Sequence, residues 1–426
     1  MLVRLFGSNF RSLKDPFELS MVAADLTRKE DRDRGVVDVT LAGAAEPLRL
    51  LRTAAVFGHN GSGKSTVLMA GKAVNWLVRH SSGRAEPGNA IKYYKPFVLD
   101  GVSRKSPVNL GCDVVHGDGL LRYEISYCAN AIERERLTVF GAGTESVLID
   151  RRRAGRVRGD LIDRSAANQL YVKEMQPNVA VLSKLAQHGP VKGEDSARPY
   201  HAAIVNATTY ADYSSSTAFS TGVRASAGRR FAEDAEYREW IMRHLVRTAD
   251  VGICDVRSRV EDVGVPTPFG AGRKRVVVSF VHQGRTRRGI KLSSESAGTK
   301  KLFNIAGDWW ALAHEPVTLL ADELSASLHP RLLDALVRAV NDAPPDRVRS
   351  QLIFATQDAG LLEGHDGKPP ALRRDQVYFT KKDRHGASEL YPLAEFKDDA
   401  RAVHNIRKRY LSGLYGAIPS VEKVSL

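Results

Sequence analysis

Residues 58–66, Gly58-His59-Asn60-Gly61-Ser62-Gly63-Lys64-Ser65-Thr66, carry the spacing G-x-x-x-x-G-K-[ST] directly behind the apolar run Ala54-Ala55-Val56-Phe57. The chemistry this spacing serves is phosphate binding. Glycines let such a loop turn tightly so that successive backbone N–H groups face one phosphate; Lys64 then reaches the β- and γ-phosphates, and Ser65 is placed to ligate Mg²⁺. Gly58, Asn60, Gly61, Ser62, Gly63, Lys64, Ser65 and Thr66 are therefore the candidate nucleotide-binding residues. A second landmark follows far downstream, where Val317-Thr318-Leu319-Leu320-Ala321 reads as a buried strand ending in Asp322-Glu323. Asp322 is placed to hold Mg²⁺ directly or through water, and Glu323 to orient and deprotonate the water that attacks the γ-phosphate.

These groups need elements to position them. Val67, Leu68, Gly71, Val74, Leu77 and Val78 recur at helical spacing, so the glycine-rich loop lies between a strand and a helix. The segment Ser293-Ser294-Glu295-Ser296-Ala297-Gly298-Thr299 is a polar cap for an apolar-periodic helix through Leu302, Phe303, Ile305, Ala306, Trp309, Trp310 and Leu312. Free N–H groups at such a start attract anions. Another helix runs through Leu332, Leu333, Leu336, Val337 and Val340, started by His329-Pro330 and stopped by Pro344-Pro345.

Because the loop and the Asp322-Glu323 pair must share one Mg²⁺, two separated stretches of sequence have to meet. The expected organisation is a first core part over residues 1–130, an inserted helical or irregular lobe over 131–275, a second core part over 276–400, and a tail over 401–426. Strand-like runs fall at 36–41 and 121–127, an amphipathic helix at 237–247, and loops at 189–196 and 214–228. No sustained heptad repeat is present, which excludes a long coiled-coil arm.

The chain has 426 residues, 43% of them apolar, enough for a normal core. No window is suited to crossing a bilayer and no secretory signal is visible, so a cytoplasmic protein without membrane attachment is expected. Cys112, Cys128 and Cys254 lie far apart with no C-x-x-C pair, which argues for reduced thiols and against a zinc site. The net charge of +14 is clustered at Arg151-Arg152-Arg153, Arg229-Arg230, Arg273-Lys274-Arg275, Arg285 with Arg287-Arg288, and Arg407-Lys408-Arg409. Such clusters suit nucleic-acid phosphates, an acidic partner, or a solvated surface.

The series of Walker A loop, Ser296-x-Gly298, Asp322-Glu323 and Ser325-Ala326-Ser327-Leu328-His329-Pro330 resembles an ABC-type ATPase head, related to SMC-type heads. It is most similar to the stand-alone ABC- and OLD-like ATPases of bacterial antiphage and abortive-infection systems, of the RloA and AbiL kind. Asn9-Phe10-Arg11-Ser12-Leu13, the run 295–300, the run 382–391 and the ending 409–419 carry that resemblance. It implies an α/β fold: a mixed sheet flanked by helices, an antiparallel N-terminal β subdomain and an inserted helical lobe. It further implies ATP and Mg²⁺ as cofactors, and Asn9, Arg11 and Ser12 at the nucleotide edge. Two heads would pair head-to-tail around two ATP molecules, with Ser296 and Gly298 of one completing the site opposite Lys64 of the other. Residues 325–328 would then form the D-loop between the two sites.

Two departures from the family pattern stand out. A switch histidine is expected after the strand Leu352-Ile353-Phe354-Ala355-Thr356, and this chain has Gln357, which can hydrogen-bond a phosphate oxygen but cannot become cationic. The Q-loop glutamine of many ABC proteins is missing from Lys95-Pro96-Phe97-Val98-Leu99-Asp100. The function implied is an ATP-hydrolysing switch in antiviral defence, slow or partner-stimulated, acting through a separate effector such as a nuclease. The rival readings are a DNA-repair or DNA-clamp ATPase, a self-contained nuclease-toxin using His385, Arg401, His404 and Lys408, and a transporter subunit.

Overall fold

Leu121, Tyr123, Ile125 and Tyr127 are buried in turn while Arg122, Glu124 and Ser126 between them are less so, the two-residue period of a strand with one face on a core. The computed structural model describes residues 1–25, 33–86, 88–153, 155–213, 230–231, 233–246, 252–263, 273–284, 286–326, 328–344, 349–396 and 405–418. In chain order they form β1 (Leu2–Ser8), β2 (Phe17–Ser20), β3 (Val36–Val39), β4 (Leu48–Leu51), β5 (Thr53–Phe57), α1 (Lys64–Arg84), β6 (Val108–His116), β7 (Gly119–Tyr127), β8 (Ile132–Gly141) and β9 (Thr144–Arg152). Short helices α2 (Asp160–Asp163), α3 (Ala166–Lys173), α4 (Val181–His188) and α5 (Arg198–Ala207) lead to β10 (Thr209–Asp212). Next come α6 (Ala235–Ile241), β11 (Ile253–Val263), β12 (Arg273–Gln283), β13 (Arg287–Lys291) and α7 (Ala297–His314). The chain continues with β14 (Thr318–Asp322), α8 (Pro330–Asn341), β15 (Gln351–Thr356), β16 (Val377–Lys382), β17 (Ser388–Pro392) and α9 (Ile406–Leu411).

The chain divides into two compact units. The first holds Met1–Ala211, Pro316–Glu323 and Asp334–Leu426; the second holds Asp212–Glu315 and Leu324–Leu333. Within the first unit, one sheet has the order β2-β1-β6-β7-β8-β9 and is antiparallel throughout. The other has the order β10-β14-β15-β5-β16-β17, with β14, β15, β5 and β16 parallel and β17 antiparallel to β16. The mixed sheet, the antiparallel subdomain and the flanking helices are those of the expected α/β head.

The expected boundary at residue 130 falls inside the antiparallel sheet. Residues 132–152 extend that sheet as two further strands, β8 pairing with β7 and β9 with β8, and Ile132, Glu135 and Leu137 are buried. Helices α2 to α5 also belong to the first unit, so the second unit begins at Asp212 instead. The run 214–228 lies outside the described residues. The helix expected at 237–247 starts at Ala235, has its α-helical part end at Ile241, and passes into one wider turn over Met242–Val246.

Helix α1 lies against both sheets. A Cβ at Gly71 would come 2.2 Å from Leu320 Cδ1 of β14 and 3.6 Å from Leu5 Cδ2 of β1, so glycine permits the approach. Leu68, Val74, Leu77 and Val78 of α1 are fully buried in the same core as Leu5 and Leu320. A buried amide fastens the two sheets as well: Gln351 accepts from Leu2 N at 2.6 Å and donates from Nε2 to Leu2 O at 3.0 Å and Leu51 O at 2.9 Å.

Glu135 is fully buried and accepts from Val181 N at 2.7 Å, Leu182 N at 3.1 Å and the Tyr123 hydroxyl at 3.1 Å. Burial pushes its carboxyl up, against the opposing pull of Arg151 and of those donors. Arg151 itself donates to Val179 O at 2.6 Å and Pro177 O at 3.0 Å, so this member of the first basic cluster is structural and closed to a phosphate partner. The three cysteines are all free thiols, and only Cys112 is buried.

The second unit has its own aromatic cluster, with ring centroids of Phe231 and Phe303 6.0 Å apart, Phe280 and Phe303 5.7 Å apart, and Tyr237 and Trp310 5.2 Å apart. Beside it the Tyr213 hydroxyl donates to Asp308 of α7. Burial pushes the Asp308 carboxyl up to about 6, with the Tyr213 hydrogen bond pulling the other way.

Two outcomes follow. Replacing Glu135 by Ala leaves two helix N–H groups and the Arg151 charge without their carboxylate, so urea unfolding should show a loss of about 3–5 kcal/mol, with Glu135→Gln costing less. Asp308 binds its proton more tightly folded than unfolded, so the stability it contributes is complete below about pH 4 and is lost as pH rises through about 6. Asp308→Asn should therefore flatten this part of the stability curve, by on the order of 2–3 kcal/mol, in urea midpoints measured at pH 4 and pH 7.

Candidate nucleotide site

The parallel strands β14, β15 and β5 end together, and ligands of open α/β sheets bind at carboxyl edges of this kind. Register pairs Ala321 with Phe354 and Phe354 with Ala55, so Asp322, Gln357 and the loop after Phe57 leave the sheet at neighbouring points. From β5 the chain turns through Gly58 (φ 154), Gly61 (φ 77) and Gly63 (φ 116) into α1. Lys64 is buried, and its Nζ donates to Gly58 O at 2.8 Å and His59 O at 3.0 Å, so the loop curls around its own ammonium. Burial lowers the Lys64 pKa while Glu323 and then Asp322 hold it up, which ties the ammonium electrostatically to both acids.

Ser65 Oγ donates to Asp322 Oδ1 at 2.9 Å, bringing the two expected metal ligands together. Both are hard oxygen donors of the kind Mg²⁺ takes. Among the described residues no cluster of three or more His, Cys, Asp or Glu could hold a metal, so a cation here would complete its shell with phosphate oxygens and water. Glu323 sits one residue beyond the strand with φ 54, a left-handed conformation that is costly for a side-chain-bearing residue. Gln357 Nε2 donates to Asn60 Oδ1 at 2.6 Å and so faces the glycine-rich loop.

A cleft of about 360 Å³ is lined by Arg11, Ser12, Asn60, Gly61, Gly63, Lys64, Ser65, Thr66, Glu323 and Lys382. Arg11 and Ser12 thus line the cleft, and Ser12 Oγ donates to Thr66 Oγ1 at 3.3 Å. Asn9 does something else. Its Oδ1 accepts from Phe97 N at 3.0 Å, and its Nδ2 donates to Ser103 O at 2.8 Å and Pro107 O at 3.0 Å, so its amide organises the 97–107 loop and does not line the cleft. Ser62 is turned into the fold, its hydroxyl 2.6 Å from Thr380 Oγ1.

In the second unit Ser296 caps α7, its hydroxyl accepting from Thr299 N at 3.1 Å, and Gly298 lies in the first turn. Glu295 is 2.7 Å from His282 Nε2, a pairing that spacing does not announce. His329 begins α8 as expected: its carbonyl accepts from Leu332 N at 2.9 Å and its Nδ1 from Arg331 N at 3.2 Å. Ser327, Arg401 and His404 lie outside the described residues, as do Arg229 and Arg285.

Two groups, one lining the cleft and one bonded to Asp322, escape a reading of the sequence. Lys382 ends β16 and brings a second lysine to the cleft wall. Tyr210 of β10 donates its hydroxyl to Asp322 Oδ2 at 3.2 Å. The strand edge beside Asp322 is therefore occupied by β10, while Lys95 meets the cleft-lining Arg11, its carbonyl accepting from Arg11 N at 2.6 Å.

A family model described as "AAA domain, putative AbiEii toxin, Type IV TA system" matches residues 122–363, more than half of the chain. Among curated proteins no significant match is found. The chain is similar to a solved SMC head domain from Thermotoga maritima at 15% identity, covering 92% of this chain and 98% of that one, with a TM-score of 0.39. It is similar to an Smc head bound to the C-winged helix domain of ScpA at 13% identity, covering 92% and 96%, with a TM-score of 0.38. An Smc head with an extended coiled coil, bound to the C-terminal domain of ScpA derived from Pyrococcus furiosus, aligns at 13% identity over 97% and 99%, with a TM-score of 0.35. At these scores the alignments carry no inference about activity or partners.

The loop's glycines are separable by experiment. A Cβ at Gly61 meets nothing within 4 Å, whereas one at Gly63 would lie 2.5 Å from Ser388 Oγ and 2.7 Å from Ser388 Cβ. Gly61→Ala should cost only the backbone strain, about 1–2 kcal/mol, and Gly63→Ala a further 1–3 kcal/mol or about that from overpacking. In thermal unfolding, Ser388→Gly should recover the second part alone; equal losses for the two alanines would contradict this packing.

Proposed function

This chain belongs to the AAA-domain family of that description, and on that premise we propose that its cleft binds Mg²⁺-ATP and that hydrolysis makes the protein a nucleotide-driven switch. The observation that carries this reading is the Ser65 to Asp322 hydrogen bond of 2.9 Å, formed in a cleft also lined by Lys64 and Glu323.

Each side chain has a task under this reading. Lys64 exchanges the carbonyls of Gly58 and His59 for β- and γ-phosphate oxygens, while the backbone N–H groups of the loop supply the remaining donors. Ser65 and Asp322 would hold Mg²⁺, which would supply positive charge to the phosphates. Glu323 orients and deprotonates the attacking water. Gln357, held against Asn60, offers its amide to the γ-phosphate in place of an imidazole, a neutral contact that favours slow turnover.

ATP then acts as a mortar between two copies, Ser296 and Gly298 of one closing over the phosphates held by Lys64 of the other. The assembled pair controls a separate effector in a cytoplasmic antiviral system. The family's description as a toxin of a type IV toxin–antitoxin system supports a setting in which the cell arrests itself. Among the described residues, no helix is long and apolar enough to cross a membrane.

Lys64→Ala should abolish ATP binding in calorimetry. Glu323→Gln should bind ATP but hydrolyse it about 10²–10⁴-fold more slowly, and light scattering should show it accumulating in a larger assembly with Mg²⁺-ATP. Parental hydrolysis by Glu323→Gln would remove the base assignment, and an unchanged size would remove the pairing.

A further inference from the structure

Asp322 is gripped from two sides. Oδ1 accepts from Ser65 of α1 at 2.9 Å, and Oδ2 accepts from the Tyr210 hydroxyl at 3.2 Å. Tyr210 reaches this carboxylate because β10 is hydrogen-bonded along β14, the strand that delivers Asp322. Its ring is held in turn by α1, with Lys72 Nζ 4.0 Å from the ring centroid. Ser65 and Lys72 are seven residues apart, close to two helical turns, so one face of α1 addresses both sides of the carboxylate.

The approach to β10 is pinned to the same helix. Asn75 of α1 donates to Val205 O at 2.9 Å and Thr208 Oγ1 at 3.3 Å, and Thr208 Oγ1 donates back to Ile204 O at 2.7 Å. The end of α5 and the start of β10 are thereby fixed on α1 before the chain reaches Tyr210. A phenol placed by a neighbouring strand, a ring contact and an anchored approach is a constructed orientation of Asp322.

We propose that Tyr210 is a positioning residue for the cation: by holding Oδ2, it keeps Oδ1 turned toward Ser65 and so raises the affinity of the nucleotide-loaded protein for Mg²⁺. This rests on the reading of the cleft as an ATP site. It also assigns the strand edge beside Asp322 to a residue that acts on the metal through its ligand. Outer partners of this kind, when lost, typically cost 10–100-fold in metal affinity.

The test is Tyr210→Phe in the full chain, which keeps the ring over Lys72 and removes only the hydroxyl. ATP binding is measured by calorimetry first in EDTA and then across a Mg²⁺ titration, for parent and variant. The expected result is ATP affinity in EDTA within about twofold of the parent, together with a Mg²⁺ half-saturation raised roughly tenfold. Equal half-saturation in the two proteins would overturn the role of Tyr210 while leaving the ATP site intact. Equal weakening in EDTA and in Mg²⁺ would overturn it in favour of plain packing. A parent that binds no ATP in either condition would overturn the underlying reading of the cleft.

Discussion

A hydroxyl and a carboxylate 257 residues apart in sequence meet at 2.9 Å, and much of the first unit can be understood as the means of bringing them there. Ser65 is fixed by the first turn of α1, Asp322 by the last residue of β14. Their meeting requires α1 to cross the core at a set height over β14, which the close approach of Gly71 to Leu320 permits and a methyl group would prevent. It also requires β15 to lie between β14 and β5, so that the loop after β5 and Glu323 after β14 open onto one cleft, with Gln357 reaching Asn60 of that loop.

How much of this could be read in advance depends on whether a feature is local. The glycine-rich loop, the apolar run before it and the acids after Ala321 are local patterns whose spacing is itself the geometry, and Lys64, Ser65, Asp322 and Glu323 indeed converge. Tyr210 was illegible. Its strand has four residues, too short for alternation to identify, and its partner lies 112 residues away. Asn9 shows the opposite case: a recognisable motif residue whose amide is consumed by the neighbouring 97–107 loop. The boundary of the insertion was misplaced because 132–152 carries an irregular pattern of buried and exposed positions, and what makes it two strands is pairing to β7 and to each other.

The basic clusters are likewise not uniform in exposure. Arg151 is buried and spent on two carbonyls beneath α4, whereas Arg153 and Arg407 meet Glu133 and Glu363 with side chains 63% and 46% exposed. Burial decides which cations are structural, and burial is not written in a run of arginines. The same holds for the polar core: Gln351 and Glu135 are surface-type residues by composition, yet each joins backbone groups from distant segments that would otherwise lie unpaired.

The division of the chain into two units gives the cleft a covalent leash. Backbone passes from the first unit to the second directly after Ala211 and again directly after Glu323. Tyr210 is one peptide removed from the first junction, and Glu323 is the last residue before the second. Tyr210 and Glu323, the two residues that the proposed reading sets to work beside Asp322, therefore stand at the two points where the first unit hands the chain to the second.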